Sequence, residues 1–405
     1  MMRTALLVFC IVAILVFARV SIEGKGDVLA LVGGTVYSSP NHEPIHDGVV
    51  IVSGGTIMAV GKRDEVKVPK DARVIDCSGK TIVAGFWNSH VHLTEAAWNN
   101  AATAPAEALE KHMQEMQTRW GFTTVWDLGS DPNNSFALRR RVESGEIAGP
   151  QIFLAGDIFP KGGHPVYLPP EMQLPEAGSP EEAAQMTRDD LKMGADGMKL
   201  FTGAFMGDKP VVNMDTAVVK AAVVVAHAQG KPVFAHPQNK VGLDNAIEGG
   251  VDVLAHTIPG GIEYTPEELT RFKAQHTALI PTLTLWTTVV SDPAVQERIV
   301  QTGVDQMKNF VANGGPILFG TDVGFITIYD TSREIEFMHR AISTNEVLAS
   351  LTTNPAGYFK ASKKGKVEQG FDADLVVLSG DPAEHVENLG KVEYTIRAGK
   401  VIYQK

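Results

Sequence analysis

Short apolar runs broken by Gly, Asn and Pro turns open the readable part of the chain, at residues 28–32, 35–37, 48–52, 56–60, 74–75 and 80–83. Runs of that length with that punctuation predict strands. The pattern returns near the C-terminus at 374–378, 392–396 and 400–403, with Gly399 marking a hairpin turn. Neither set is long enough to cover a core alone. Both ends, 27–83 and 365–405, are therefore expected to pair into one small β-sandwich domain. The stretch between them, 84–364, alternates apolar strands with amphipathic helices. Candidate strands are 82–88, 123–128, 152–157, 197–201, 233–236, 252–256, 279–283 and 317–321, and helical stretches include 106–119, 134–144, 180–193, 217–229 and 266–275. Eight strands, most leading to a helix, predict an α/β fold of the (β/α)8 TIM-type barrel class. A doubly wound sheet competes, but no Gly-x-Gly-x-x-Gly turn follows the first strand.

The first residues read differently. Met1-Met2-Arg3 is a short basic start, and an apolar run extends from Ala5 to Ala18. That run falls short of the roughly 20 residues that span a bilayer, so residues 1–18 are expected to be a cleaved signal peptide. A retained N-terminal anchor is the alternative. Cleavage implies an exported protein, periplasmic or secreted, with no membrane insertion after signal removal. It also removes Cys10 and leaves Cys77 as the remaining thiol. Two cysteines make neither a disulfide framework nor a cysteine zinc site.

Composition narrows the partners. Lys and Arg number 36 against 47 Asp and Glu, a net charge of −11, and there is no basic run. A nucleic-acid partner is excluded on that ground, and a small-molecule substrate is expected instead. Sheet edges offer a route to a homo-oligomer, but no motif sets its size.

In a barrel of this kind chemistry gathers where the strands end. The first strand ends Asn88-Ser89-His90-Val91-His92. Side chains alternate, so His90 and His92 point the same way and form a chelating pair for a divalent metal. Lys199 ends the fourth strand, where a lone buried cation is costly and needs a partner or a modification. His236 ends the fifth strand, His256 the sixth and Asp322 the eighth. Taken singly, each has a bland reading, as a core histidine on a carbonyl or an aspartate capping a turn. Together they occupy equivalent strand ends in the order His-x-His, Lys, His, His, Asp.

At these residues the sequence resembles the amidohydrolase superfamily, in its imidazolonepropionase-like and prolidase-like branch. The likeness runs from about residue 27 to the C-terminus. It includes Gly85-Phe86-Trp87-Asn88-Ser89-His90-Val91-His92, Gly121-Phe122-Thr123-Thr124-Val125, Gly320-Thr321-Asp322 and the tail Gly370-Phe371-Asp372-Ala373-Asp374. The resemblance implies a barrel with a small flanking β-sandwich. It implies His90, His92, His236 and His256 as metal ligands, and Lys199 as a lysine carbamylated by carbon dioxide that bridges one or two metal ions. It implies Asp322 as a ligand that also moves the proton. Imidazole-rich ligands suit zinc, with manganese, cobalt and iron as alternatives. His164, in the loop after the third strand, is expected to approach the substrate, as a loop histidine does in relatives. Asp127 reads as a supporting group.

The implied reaction is hydrolysis of an amide or related C–N bond by metal-activated water. The same centre could serve an ester, lactone or phosphotriester. A dipeptidase is a further reading, weakened because His236 is followed by Pro237-Gln238-Asn239 where peptidases of the branch carry an aromatic residue. A non-catalytic binding protein is the least favoured reading, since every expected ligand position is filled. Trp98, Tyr167, Phe205, Met206, Trp286, Phe325 and Tyr329 are candidates for the rim of a pocket for a bulky, weakly charged substrate.

Overall fold

A computed structural model describes residues 28–405, so the expected signal peptide and Cys10 lie outside the described residues. Five strands come first: β1 (Leu29–Val36), β2 (Ile45–Ser53), β3 (Thr56–Lys62), β4 (Arg73–Asp76) and β5 (Thr81–Ala84). The middle of the chain holds β6 (Phe86–Val91), β7 (Phe122–Asp127), β8 (Gln151–Pro160), β9 (Gly197–Leu200), β10 (Val233–Ala235), β11 (Val253–Leu254) and β12 (Ala278–Leu279). Three strands follow at the end: β13 (Leu375–Leu378), β14 (Val392–Arg397) and β15 (Lys400–Gln404).

Both ends of the chain share one sheet, in the order β15-β14-β13-β5-β1-β2-β3, with β4 also paired to β1. The junction is β5, parallel to β1 through Thr35↔Thr81 and antiparallel to β13 through Leu375↔Ala84. The two chain ends thus pair as expected into one β-domain, and the joint is β5, which has partners on both of its edges. Alternation along the strands gives this sheet two apolar faces. Leu29, Leu31, Val50, Val52, Leu375 and Val377 share one buried cluster, and Ala30, Val49 and Ile51 share another with Met58 and Val66.

The second sheet is all parallel, in the order β12-β11-β10-β9-β8-β7-β6. It curls until its edges meet the segment expected as the eighth strand. Ile317 bridges Leu279 on one side and Val323 bridges Val91 on the other. Backbone bonds from Leu318 N to Leu279 O (2.9 Å) and from Ser89 N to Phe319 O (2.7 Å) seal the ring. This segment is not a regular strand, since the Phe319 amide leaves the ladder for Ser350 O at 3.0 Å. The arrangement is that of a TIM-type barrel.

Two boundaries differ from expectation for physical reasons. The first barrel strand starts at Phe86, because Thr81–Ala84 belongs to the other sheet and Gly85 crosses between them. A Cβ on Gly85 would lie 2.2 Å from Thr123 Oγ1, so the crossing admits no side chain. Strand β12 stops early because Pro281 lacks an N–H and Thr282 turns into the left-handed region at φ 45°. Helices Pro180–Met193 and Pro266–Gln275 match their expected ends. Ser179 caps the first by accepting from Glu182 N, and Thr265 and Glu268 form a capping box on the second.

Candidate metal centre

Strand β6 delivers the first pair. His90 is fully buried, and its Nε2 stands 3.3 Å from Nε2 of His92. Asp322 arrives from the closing segment and places Oδ1 3.1 Å from Nε2 of each histidine. These three donor atoms lie within 4.8 Å of one another, the one such grouping of metal-ligating types among the described residues. Lys199, on β9 and 1% exposed, puts Nζ 3.4 Å from His90 Nε2 and lies over the Phe201 ring. His256 packs against His90 with ring centroids 4.7 Å apart, and His236 packs against His256 at the same separation. All six residues expected at the strand ends therefore converge.

Hydrogen bonds fix which ring nitrogens carry protons. Gly129 O lies 2.6 Å from His92 Nδ1, and a carbonyl only accepts, so Nδ1 donates there. Thr282 donates its hydroxyl to Pro281 O at 2.9 Å, so its Oγ1 accepts from His256 Nδ1 at 2.7 Å. In the neutral rings, Nε2 of His92 and His256 is then a free acceptor. At His92 that lone pair faces a carboxylate oxygen and a second imidazole. A proton on His92, whose pKa the Asp322 carboxylate raises against burial, reconciles these acceptors, and a bound divalent metal would do the same in its place. The Nδ1 of His90 and Oδ1 of Asp322 make no hydrogen bond that would compete.

The electrostatics follow from burial. Desolvation, aided by the charge of Lys199, lowers His90 to about 3 and His236 to about 4, so both stay neutral. Burial opposes charge on Asp322, yet His90 and His92 outweigh it and hold the carboxyl well below its usual range. Burial brings the Lys199 amine down to about 8, against partial opposition from Asp322 and Asp157. Asp157 sits across the ladder from Lys199 in register, and burial raises it to about 6.

Supporting residues are equally specific. Asp127 accepts from the hydroxyls of Ser130 and Ser135 at 2.6 Å each, and Ser130 Oγ accepts from Leu93 N at 2.7 Å. This clasp holds the turn that presents Gly129 O to His92. His236 has Gln238 Oε1 3.2 Å from its Nε2. The strand-end rule that selected the ligand candidates would also have selected Asp157, whereas nothing in the sequence marks Thr282 or Gln238.

His164 is not brought to the cluster. Its ring nitrogens face Pro165 O and Met172 O in its own loop, each at 3.2 Å. In Tyr167 of the same loop, burial and then the charge of Asp322 raise the hydroxyl's pKa. Among the other rim candidates, Trp98 is buried against His112, Trp286 donates to Thr257, and Tyr329 bonds Glu95. Phe205 and Phe325 remain exposed.

Known proteins resemble this chain in sequence and in fold. An imidazolonepropionase from Thermoplasma acidophilum is 36% identical over 107 residues, a stretch that is 24% of this chain and 26% of that relative. Another from Symbiobacterium thermophilum is 24% identical over 94% of this chain and 96% of its own length. The crystal structure of a putative prolidase from Bifidobacterium longum superposes with a TM-score of 0.79 at 25% identity, over 93% of this chain and 95% of that one. The profile of the amidohydrolase family matches residues 81–402, which spans the whole barrel and the strands that complete the other sheet. The chain belongs to the amidohydrolase family.

Proposed function

We propose that this amidohydrolase cleaves an amide or related C–N bond of a small molecule, using one or two divalent metal ions held by His90, His92, Lys199, His236, His256 and Asp322. One observation carries the reading: Nε2 of His90, Nε2 of His92 and Oδ1 of the buried Asp322 stand 3.1 Å to 3.3 Å from one another. Zinc suits so imidazole-rich a set. When bound, the metal supplies Lewis acidity toward a carbonyl and lowers the pKa of water to near 7.

The remaining work falls to the protein. Asp322 takes the proton of the attacking water and returns it to the leaving nitrogen. Lys199 is the site of carbamylation: its neutral amine forms an N–C bond with carbon dioxide and one proton departs. The amine's lowered pKa, about 8, favours the neutral form that this step needs. A buried cation thereby becomes an anion, the sign a metal site requires. Tyr167 and Phe325 meet edge-on at 5.1 Å, and Val166 N bonds Phe205 O at 3.1 Å, so the loops that carry these three exposed rings adjoin one another. These support a bulky, weakly charged substrate. A solvated role in its own loop suits His164 better than substrate contact.

The apolar leader at residues 5–18 supports export to the periplasm or beyond. Among the described residues no helix is long and apolar enough to cross a membrane. The two sheets support a division into a β-domain, 27–83 plus 365–405, and a barrel, 84–364.

The test is elemental analysis of the purified chain coupled to matched amide, ester and phosphotriester versions of one scaffold, with a chelator control. Chelator-sensitive amide turnover with bound metal is expected. Failure to take up metal from zinc-supplemented buffer would remove the proposal, and turnover confined to the ester or phosphotriester would move it to that bond.

A further inference from the structure

Thr282 occupies an awkward position. It is fully buried and holds φ 45° and ψ 50°, a left-handed conformation that is strained for a β-branched residue. It is also the residue before the 3-10 helix Leu283–Thr287, where a threonine hydroxyl would ordinarily accept from the first free amides. It makes no such bond. Its hydroxyl is turned the other way, accepting from His256 Nδ1 at 2.7 Å and donating to Pro281 O at 2.9 Å.

The amides it abandons are taken by another element. Glu334, in the first turn of helix Ser332–His339 and 1% exposed, accepts from Leu283 N through Oε1 at 2.8 Å and from Thr284 N through Oε2 at 2.7 Å. Both carboxylate oxygens are spent on this one turn. We infer that Glu334 is a positioning residue for His256: by capping the 283–287 turn from outside, it frees the Thr282 hydroxyl to hold His256 as the Nδ1–H tautomer with Nε2 directed to the cluster. Without that external cap, the hydroxyl is the nearest acceptor for the orphaned amides. It rotates away, and the ring loses the bond that fixes its proton. Neither hydrogen bond of Glu334 reaches His256 or the cluster, so its geometric hold on His256 runs through Thr282.

The inference rests on the metal reading only for its effect on zinc affinity, so two measurements separate the two. Long-range ¹H–¹⁵N correlation spectra of metal-free, histidine-labelled full-length protein report the tautomer of His256, assigned with His256→Asn. Zinc titration of the same proteins reports affinity. Glu334→Gln keeps the volume but has one acceptor oxygen. It is expected to turn the His256 signal from the pure Nδ1–H form to a mixture and to weaken zinc binding by about 10–100-fold. In a Thr282→Gly background, which removes the hydroxyl and relieves the left-handed backbone, Glu334→Gln is expected to change neither readout further. A Glu334→Gln variant with a lowered melting temperature but the wild-type tautomer and zinc affinity would overturn the inference, as would additive losses in the double variant. If Glu334→Gln does not fold, Glu334→Asp, which keeps both acceptors one methylene short, is judged by the same readouts. A wild-type protein that binds no zinc while Glu334→Gln still alters the tautomer would sink the metal reading and leave this one standing.

Discussion

Gly324 lies against the carbonyl of His92 so closely that a Cβ on it would fall 1.7 Å from that oxygen. The contact joins the end of the first barrel strand to the turn after Asp322, and His92 N bonds Val323 O at 2.8 Å beside it. Gly324 also holds φ +101°, where a side chain is strained whatever the space. Gly324→Ala is therefore expected to destabilise the fold by about 2–5 kcal/mol, from overpacking and a left-handed backbone together. Because the shift separates Asp322 from His92, zinc uptake should fall as well. Thermal melts with and without zinc check both effects, and a variant that melts and loads like wild type would contradict them.

Asp322→Asn preserves the shape of the cluster while removing the base. Turnover is expected to drop by roughly 10²–10⁴-fold, the usual worth of a positioned proton carrier, with most metal retained. Steady-state rates alongside metal analysis decide this, and near-normal turnover would refute the role given to Asp322.

Lys199→Ala deletes the amine proposed to carry the carbamate. Bound metal and nearly all activity should be lost together. In the wild type, depletion of bicarbonate should weaken zinc binding, and labelled bicarbonate should give a carbamate carbon resonance that the variant lacks. Full metal occupancy in Lys199→Ala would remove the carbamate from the scheme.

Asp190 offers a pH test away from the centre. Its carboxyl abuts Gly156, and a Cβ added there would lie 2.3 Å from Asp190 Oδ2. Burial, then the charges of Asp157 and Asp189, raises its pKa to about 7 from the ordinary 3.8. The folded state thus binds the proton more tightly than the unfolded state, so stability falls as pH rises across that window and levels off above it. Asp190→Asn should be more stable than wild type at pH 8, with the advantage shrinking toward pH 4. Urea melts at several pH values measure it, and a constant difference would exclude the carboxyl as its source.

Cys77 is fully buried, and burial pushes its thiol up to about 12. In a Cys10→Ser background, a thiol reagent should report no reactive group until denaturant is added, and then one. Rapid labelling of the native protein would show that the β1–β5 region opens.

The cluster was legible because a strand fixes side-chain direction by parity and a barrel gathers the ends of its strands at one mouth. His90, His92, Lys199, His236, His256 and Asp322 needed nothing more than that. What escaped depends on backbone geometry that residue types do not encode. Threonine does not announce a left-handed φ, so neither the stop of β12 nor the turn of Thr282 toward His256 could be read. Glu334 is 52 residues beyond Thr282 in sequence and looks like any acidic residue opening a helix. The expected eighth strand failed as a strand because its amides are shared between the ring and Ser350, a choice made by packing. His164 holds its ring nitrogens 3.2 Å from Pro165 O and Met172 O, contacts that residue type alone does not encode.

Strand β5 runs through Gly85 straight into the strand bearing His90, and its free edge is filled by β13 from the far end of the chain. During synthesis, then, an apolar edge beside the strand bearing His90 stays bare until residues 375–378 have left the ribosome. A premature stop before residue 375 would leave the barrel's own helices and strands encoded, yet release a chain with a sticky ribbon beside the start of its first barrel strand. Such products should be found in inclusion bodies or degraded, rather than as soluble, partly active enzyme.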